Sequence, residues 1–280
     1  ISPERVRNLD LSYLFRSNSF SARITGYYLG FQNQTDIGFY FTENVSGLGL
    51  EKDAFVQEVT TGIDSRSMGV EVGMEVPLGR TLKFKAAGSW GHNTFVNNPD
   101  LYLRSDDFEG FLRFGDGTTR IKNYHLSAGP ERVVQLGVEY RDPAYWWFGL
   151  STNYFSHAYI DVNHLARSAN FTSDFDGQPF NDYSEEEALS LLEQERLDPY
   201  VLVNLVGGKS WRVGGTYFGF FASIANLLDQ EYTTGGFEQG RLSNFRDRRI
   251  DHHRPNGPIF GNRYFFGRGT TYFFNLYVSF

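Results

Sequence analysis

The stretch Gly269–Phe280, which reads G-T-T-Y-F-F-N-L-Y-V-S-F, decides the fold of this chain. Because the side chains of a strand alternate between its two faces, every second residue of this stretch lies on one apolar face. That face carries Tyr272, Phe274, Leu276, Val278 and Phe280. On the edge strand of a soluble protein, this apolar face would favour aggregation. In a closed barrel, lipid covers the apolar face and the neighbouring strands pair with the backbone N–H and C=O groups. The stretch therefore predicts a membrane strand of a barrel.

The composition excludes several classes of protein. The 280 residues include 30 Gly and no Cys, and aromatic residues reach 17%. No apolar run approaches the eighteen or so residues that a membrane helix needs, so a chain that spans the membrane must do so as a barrel. Without Cys the chain has neither disulfides nor thiolate metal sites. A net charge of −7 argues against a nucleic-acid partner.

Alternating apolar and polar residues predict nine strands that are joined by connections of alternating length. The clearest pair of strands carries these outward apolar residues: Val70, Val72, Met74 and Val76, then Leu82, Phe84, Ala86 and Trp90. Short connections are expected at 16–19, 77–80, 142–144 and 207–210, and long ones at 35–56, 93–120, 162–199 and 227–268. Outer-membrane barrels show this asymmetry, with short periplasmic turns and long outer loops.

The number of strands predicts an incomplete barrel. A single-chain bacterial barrel has an even number of strands, with both of its ends in the periplasm. The first residues, Ile1-Ser2-Pro3-Glu4, also lack the basic start and apolar core of a signal peptide. We therefore expect an all-β chain whose residues 1–280 form the C-terminal part of a transmembrane antiparallel barrel.

The third long connection contains the one short helix that the sequence predicts. Ser184 and Glu187 form a capping box, in which each side chain bonds a backbone amide of the first helical turn. Ala188 and Leu191 follow at helical spacing, and the helix is expected to reach about Leu197.

Four short motifs resemble those of TonB-dependent receptors from the Bacteroidetes. Gly149–Asp161 resembles their N-Y-F-x-x-x-Y-I-D stretch, and Gly208–Trp211 resembles the start of a later strand. Ile224–Tyr232 is similar to their N-L-L/F-D-x-x-Y motif, and Gly235–Arg241 is similar to the G-G-[YF]-E-Q-G-R that follows it. The alternation that ends at Phe280 also resembles the C-terminal β-signal of bacterial outer-membrane proteins.

The resemblance implies an architecture and a function for the whole protein. The family usually has a barrel of twenty-two strands, together with an N-terminal plug and a TonB box that we expect outside this chain. It takes up scarce nutrients such as siderophores, glycans or peptides across the bacterial outer membrane, and it implies neither an enzyme nor a cofactor. The implied partners are the TonB-ExbB-ExbD system, outer-membrane lipids and lipopolysaccharide, the BAM assembly machinery and, in the SusC-like branch, a SusD-like surface lipoprotein.

Two other classes of function also fit the pattern of strands. A passive porin-like outer-membrane channel has the same alternation of connections but has no plug or TonB box. A secreted, soluble β-rich protein that binds glycans would need no detergent. The apolar face of the last strand argues against the soluble class.

A basic segment in the last long connection is the candidate ligand site. Its cationic residues are Arg241, Arg246, Arg248, Arg249, His252, His253 and Arg254. Guanidinium groups recognise carboxylates and phosphates through paired hydrogen bonds, so this segment predicts an anionic ligand. The alternative is that these residues pair with Asp247, Asp251 and other loop carboxylates, or with lipopolysaccharide phosphates.

Neither a metal site nor a catalytic site is expected. Asp251-His252-His253 has suitable ligand types, but adjacent side chains on an extended segment point apart. No nucleophile-elbow motif supports a hydrolase.

Overall fold

The chain forms one long antiparallel sheet with folded segments at one of its ends. The computed structural model describes residues 3–43, 54–106, 108–174 and 176–280. The strands are β1 (Arg5–Arg16), β2 (Ser21–Thr42), β3 (Ala54–Leu78), β4 (Leu82–Phe95), β5 (Asp100–Ser105), β6 (Phe108–Thr118), β7 (Arg132–Arg141), β8 (Trp146–Ser156), β9 (Tyr200–Val213), β10 (Thr216–Ala225), β11 (Thr233–Phe237), β12 (Arg263–Phe266) and β13 (Thr271–Ser279). The helices are α1 (Glu185–Leu191) and α2 (Phe245–His252), with short 3₁₀ helices at Leu165–Arg167 and Ala169–Thr172. Within these described ranges, no helix has the length and apolar character to cross a membrane.

Nine of the described strands follow one another across the main sheet. Their order is β1-β2-β3-β4-β7-β8-β9-β10-β13, and neighbours are antiparallel. β5 pairs with β3 and β6 with β5, whereas β11 and β12 form a separate two-stranded sheet. The structure therefore confirms the expected antiparallel order of nine strands with alternating short and long connections.

The pairing register separates an apolar face of the sheet from a polar face. On the apolar face, Tyr272 of β13 lies opposite Ile224 of β10 and is 85% exposed. On the polar face, Lys83 Nζ lies 2.8 Å from Glu75 Oε1, and both side chains remain partly exposed. An exposed apolar face opposite a wet, charged face is the arrangement of a barrel wall between lipid and an aqueous interior.

Buried apolar residues lie in the long connections and in the strand ends that lead into them. The largest clusters are Val56, Leu101, Leu103, Phe114 and Leu165, and then Ala166, Phe171, Phe180, Ala188, Leu191 and Phe245. We call the described residues of 96–131, 157–199 and 226–270 the loop layer. β8 ends at Ser156, before the expected Asp161, because Ala158 and Ile160 leave the sheet and join Leu197 in a third cluster. The loop layer is therefore a packed unit on one end of the sheet.

Three of the expected long connections contain strands, and one of them, 227–268, holds β11 and β12. β2 continues beyond the expected Gln34 to Thr42, because Asn33 adopts φ 59° within an irregularity and pairing with β3 then resumes. The rest of that connection, 44–53, lies outside the described residues. The expected connection 93–120 holds β5 and β6, so this part of the sequence-based prediction was wrong.

The expected turn at 207–210 was also wrong. β9 runs through this range to Val213, and the chain reverses at Gly214, which has φ 65°. A Cβ on Gly208 would lie 3.1 Å from Nε1 of Trp147 and would collide with a carbonyl oxygen of β10. The glycine is needed for this close approach of an indole and a neighbouring strand, and not for a turn.

The helices differ from the prediction in length and number. α1 has the expected cap, because the Ser184 side chain accepts a hydrogen bond from the Glu187 amide. It ends at Leu191 rather than near Leu197. A second helix, α2, was not predicted, and its first turn is capped by the side chain of Asn244.

Candidate functional site

A cavity of about 830 Å³ lies within the loop layer. Its polar lining includes Tyr159, Gln194, Gln239, His252, Asn262 and Tyr264. The charged residues among its described lining are Arg196 and Arg248, facing Glu193, Glu195, Glu238 and Asp251. A volume of this size is typical of small-molecule sites, although this lining is more polar than that of most such sites. We call this cavity the loop cavity and treat it as the candidate functional site.

Glu195 joins two segments in one wall of the loop cavity. The Tyr264 hydroxyl donates to its carboxylate at 2.9 and 3.0 Å, and Asn262 Nδ2 donates to Oε2 at 2.6 Å. Burial, together with the hydrogen bond to Glu195, raises the pKa of Tyr264. The phenol therefore stays protonated at neutral pH and keeps its role as a donor.

Glu238 forms a buried ionic junction at the cavity. Arg167 Nη1 and Nη2 donate to its two carboxylate oxygens at 2.7 and 2.8 Å, and both side chains are at most 2% exposed. Arg248 Nη2 adds a third bond at 3.1 Å. Burial disfavours the charge of Glu238, but the hydrogen bonds from Arg167 and the charge of Arg248 outweigh it and lower the pKa of Glu238. This carboxylate holds segments together rather than offering a free group to a ligand.

Two of the arginines expected to bind a ligand bond Asp182 instead. Arg246 Nη2 lies 2.7 Å from Asp182 Oδ1, and Arg249 also donates to the same carboxylate. The hydrogen bonds from Arg246 and then Arg249 lower the pKa of Asp182 to about 2. These contacts join the segment before α1 to α2.

The Asp182 contacts predict an acid transition that Asp182→Asn removes. Because the folded-state pKa is lowered, the stabilisation is complete above the unfolded pKa of about 3.9 and is lost as the pH falls through about 2. Pepsin digestion of the full-length protein, normalised to an unstructured peptide at each pH, measures the opening of the loop layer. Cleavage near α1 should increase between pH 4 and pH 2 in the wild type, and should already be fast at pH 4 in D182N. Superimposable profiles would show that Asp182 does not hold these segments.

Three further residues of the basic segment also have partners within the protein. Arg241 Nε donates to Glu43 Oε1 at 2.6 Å, and Arg254 Nε donates to Asp251 Oδ1 at 2.7 Å. His253 Nδ1 donates to a backbone carbonyl of α2 at 2.9 Å. These pairings agree with the alternative given in the sequence analysis, in which the segment bonds other groups of the protein rather than a ligand.

The structure brings two of the seven candidate residues to the loop cavity. Arg248 and His252 line it, and His252 is exposed. The Arg248 side chain already bonds Glu238, so His252 is the more available of the two for contact with a ligand. Ligand binding by the basic segment stays a prediction.

Sequence reasoning missed a group of possible metal ligands. Among the described residues, His92, His125 and Glu131 each place one ligand atom within 4.8 Å of the others. The three residues lie on different segments and have no recognised ligand spacing, so the sequence carried no signal for them. His252 and His253, which the sequence analysis had considered, lie with their ring centroids 5.4 Å apart at the end of α2.

A family comparison agrees with this architecture. The family described as TonB dependent receptor-like, beta-barrel matches residues 1–227. The chain belongs to this family of TonB-dependent receptors. No curated protein matches the sequence. Barrels of TonB-dependent receptors lie in the bacterial outer membrane, which agrees with the apolar and polar faces of the sheet.

Three solved structures are similar to this TonB-dependent receptor chain. They are the copper transporter OprC (TM-score 0.49, 16% identity), the FrpB iron transporter from Neisseria meningitidis (0.49, 12%) and a mutant of the ferric enterobactin receptor PfeA from Pseudomonas aeruginosa (0.50, 13%). Each match covers 99% of this chain and 31% of the other. At these identities the likeness concerns the fold alone. The family is described as receptor-like, and these three proteins are named as two transporters and a receptor.

Proposed function

We propose that this chain is part of an energy-coupled transporter that takes up a scarce nutrient, such as a siderophore, a glycan or a peptide, across the bacterial outer membrane. The observation that carries the proposal is the family match over residues 1–227. In this proposal the chain is the C-terminal part of a barrel of about twenty-two strands. A plug and TonB box outside the chain connect the transporter to the TonB-ExbB-ExbD system.

The loop cavity is the part of this chain that we propose contacts the substrate. Its described lining has two arginines against four carboxylates, and Glu238 and Asp251 already have arginine partners. The remaining groups are amides, phenols, an imidazole and the carboxylates of Glu193 and Glu195, and together they both donate and accept hydrogen bonds. This lining favours a polar substrate rich in hydroxyl or amide groups over a polyanion.

The remaining partners follow from the same proposal. The apolar face of the sheet contacts outer-membrane lipids and lipopolysaccharide, and the alternating residues from Tyr272 to Phe280 serve as the assembly signal for the BAM machinery. The four motifs between Gly149 and Arg241 support a Bacteroidetes-type, SusC-like member. A SusD-like surface lipoprotein would then cover the loop layer.

Uptake into cells that carry the full-length protein tests the proposal and predicts an effect of His252→Ala. The probes are a labelled ferric siderophore, an oligosaccharide and a peptide, each offered with and without an uncoupler of the proton gradient. Accumulation of one probe should depend on the gradient, and H252A should weaken its uptake about two- to tenfold at low concentration, because one hydrogen bond is lost. His253→Ala is the matched control, since His253 bonds a backbone carbonyl instead. Uptake that persists with the uncoupler would indicate a passive channel. If H252A and H253A weaken uptake equally, His252 does not contact the substrate.

A further inference from the structure

The end of β4 and the segment before β7 bring two histidines and a glutamate together. One nitrogen of His92, one nitrogen of His125 and one carboxylate oxygen of Glu131 all lie within 4.8 Å of one another. We propose that these three side chains form a binding site for a divalent transition-metal ion such as Zn²⁺. Two imidazoles and one carboxylate, with water as a fourth ligand, are a set that this ion accepts in tetrahedral geometry.

Two of the three ligands are already held in place. His125 Nδ1 lies 2.9 Å from Glu131 Oε1, and the His125 ring stacks on Tyr159 with centroids 3.8 Å apart and 8° between the planes. Gln194 bonds both the backbone amide and the backbone carbonyl of His125, at 2.8 and 2.9 Å. Glu131 accepts a further bond from the Asn93 amide at 2.7 Å. Because these side chains are fixed in advance, a metal ion orders little of the protein on binding.

The nearly complete burial of the Glu131 carboxylate favours the binding of a cation next to it. The residue Glu131 is 5% exposed, and the imidazole beside it carries a charge only when it is protonated. A buried carboxylate is costly unless it is paired or coordinates a metal. A divalent cation between Glu131 and the two imidazoles meets this requirement.

His92 completes the site from the exposed side. Its ring lies edge-on to the ring of His125, with centroids 5.3 Å apart and 86° between the planes. Zinc ligands about 2.0–2.1 Å from the metal are about 3.3 Å from one another in a tetrahedron. A ligand atom of the exposed His92 therefore has to approach the other two by roughly 1.5 Å at most, which is within the range of a side-chain rotation. His125 Nδ1 and Glu131 Oε1, which are 2.9 Å apart, would have to separate slightly to admit the metal ion between them.

The ligand set selects the class of metal. Imidazole nitrogen suits Zn²⁺, Cu²⁺ and Ni²⁺, whereas Ca²⁺ and Mg²⁺ prefer sites made wholly of oxygen. Tyr159 and Gln194, which hold His125, also line the loop cavity. The metal ion would fasten the segment before β7 to β4 and would stiffen this wall of the cavity, whatever the transporter carries.

Zn²⁺ titration of the full-length, chelator-treated protein in mild detergent tests the site by calorimetry. The variants are His92→Ala and Glu131→Gln, with His253→Ala as a control for an exposed histidine elsewhere. H92A and E131Q should each weaken one Zn²⁺-binding event at least about tenfold relative to the wild type, whereas H253A should leave it unchanged. The comparison between variants isolates this site from other metal ligands in the full-length protein.

Co²⁺ and Mg²⁺ provide a second readout. A tetrahedral Co²⁺ complex absorbs visible light strongly, so the wild type should gain an absorption that H92A lacks, and excess Mg²⁺ should not displace the Co²⁺. The proposal is overturned if Zn²⁺ binds H92A and E131Q as it binds the wild type, or if Mg²⁺ competes equally.

Discussion

Glu238→Ala is expected to destabilise the closed loop layer by about 3–5 kcal/mol, because it breaks a buried ion pair on one side only. Glu238 accepts two bonds from Arg167 and one from Arg248. After its removal the Arg167 guanidinium, whose side chain is 1% exposed, has no carboxylate partner. Arg167 is also bonded to the backbone carbonyls of Asn163 and Leu192, which hold it inside. The cost is that of an uncompensated buried charge and exceeds the net contribution of the original pair.

Hydrogen exchange of the full-length protein in detergent measures this effect. Peptides from 157–172 and 236–249 should exchange much faster in E238A, whereas peptides from β9 and β10 should keep their protection. The matched control is Glu193→Ala, which removes an exposed carboxylate from the same cavity and should change stability by less than about 0.5 kcal/mol. Unchanged protection in E238A would show that this junction does not hold the loop layer together.

Leu150→Arg is expected to destabilise the folded barrel by about 2–4 kcal/mol if Leu150 lies near the bilayer midplane. Leu150 is on the apolar face of β8, 42% exposed, and lies between Val138 and Leu205 of the neighbouring strands. A guanidinium placed there loses its hydration in the hydrocarbon or must distort the bilayer to keep it. The adjacent Ser151 faces the other side of the same strand, so an arginine there meets water.

The paired variants Leu150→Arg and Ser151→Arg separate lipid exposure from a general effect of arginine on β8. Urea titration of the full-length protein folded into lipid vesicles, followed by tryptophan fluorescence, gives the two changes in stability. L150R should be strongly destabilising, and S151R should cost less than about 1 kcal/mol. Equal losses would contradict the assignment of the apolar face to lipid.

The strands could be predicted because their signal is local. Val70–Val76 has an apolar residue at every second position, and Leu82–Trp90 keeps this pattern apart from Ala87 and Gly88. The face on which each residue lies therefore follows from the local sequence, without information on distant contacts. The same alternation extends to β13, where the last strand was placed within two residues of its observed bounds. The order of nine strands followed from this pattern and from the alternating lengths of the connections.

The errors arose where a distant contact decides the structure. The residues around Gly208 are typical of a turn, but they form part of β9. The glycine is needed there because the Trp147 side chain, distant in the sequence, packs against it. The continuation of β2 beyond Asn33 depends on its pairing with β3. α2 lacks a strong apolar stripe, and its start is set by the Asn244 cap and the burial of Phe245.

The candidate site was only partly accessible to sequence reasoning. The basic segment was visible as a run of charge, but its partners Glu43 and Asp182 come from two other connections, and Glu238 precedes it in the same connection. No residue type marks in advance which arginine a distant carboxylate will engage. The loop cavity and the group at His92 arise in the same way, from the packing of segments that the sequence keeps apart.

The ion pairs between different connections restrict how these segments can diverge. Arg241 depends on Glu43, and Arg246 on Asp182, so each partner sits in a separate segment of the gene. Exchange of one connection by recombination would remove the carboxylate that an arginine of another connection bonds. We therefore expect paired residues in different connections to change together as the protein diverges. To engineer a new specificity, connections that bond one another should be exchanged together.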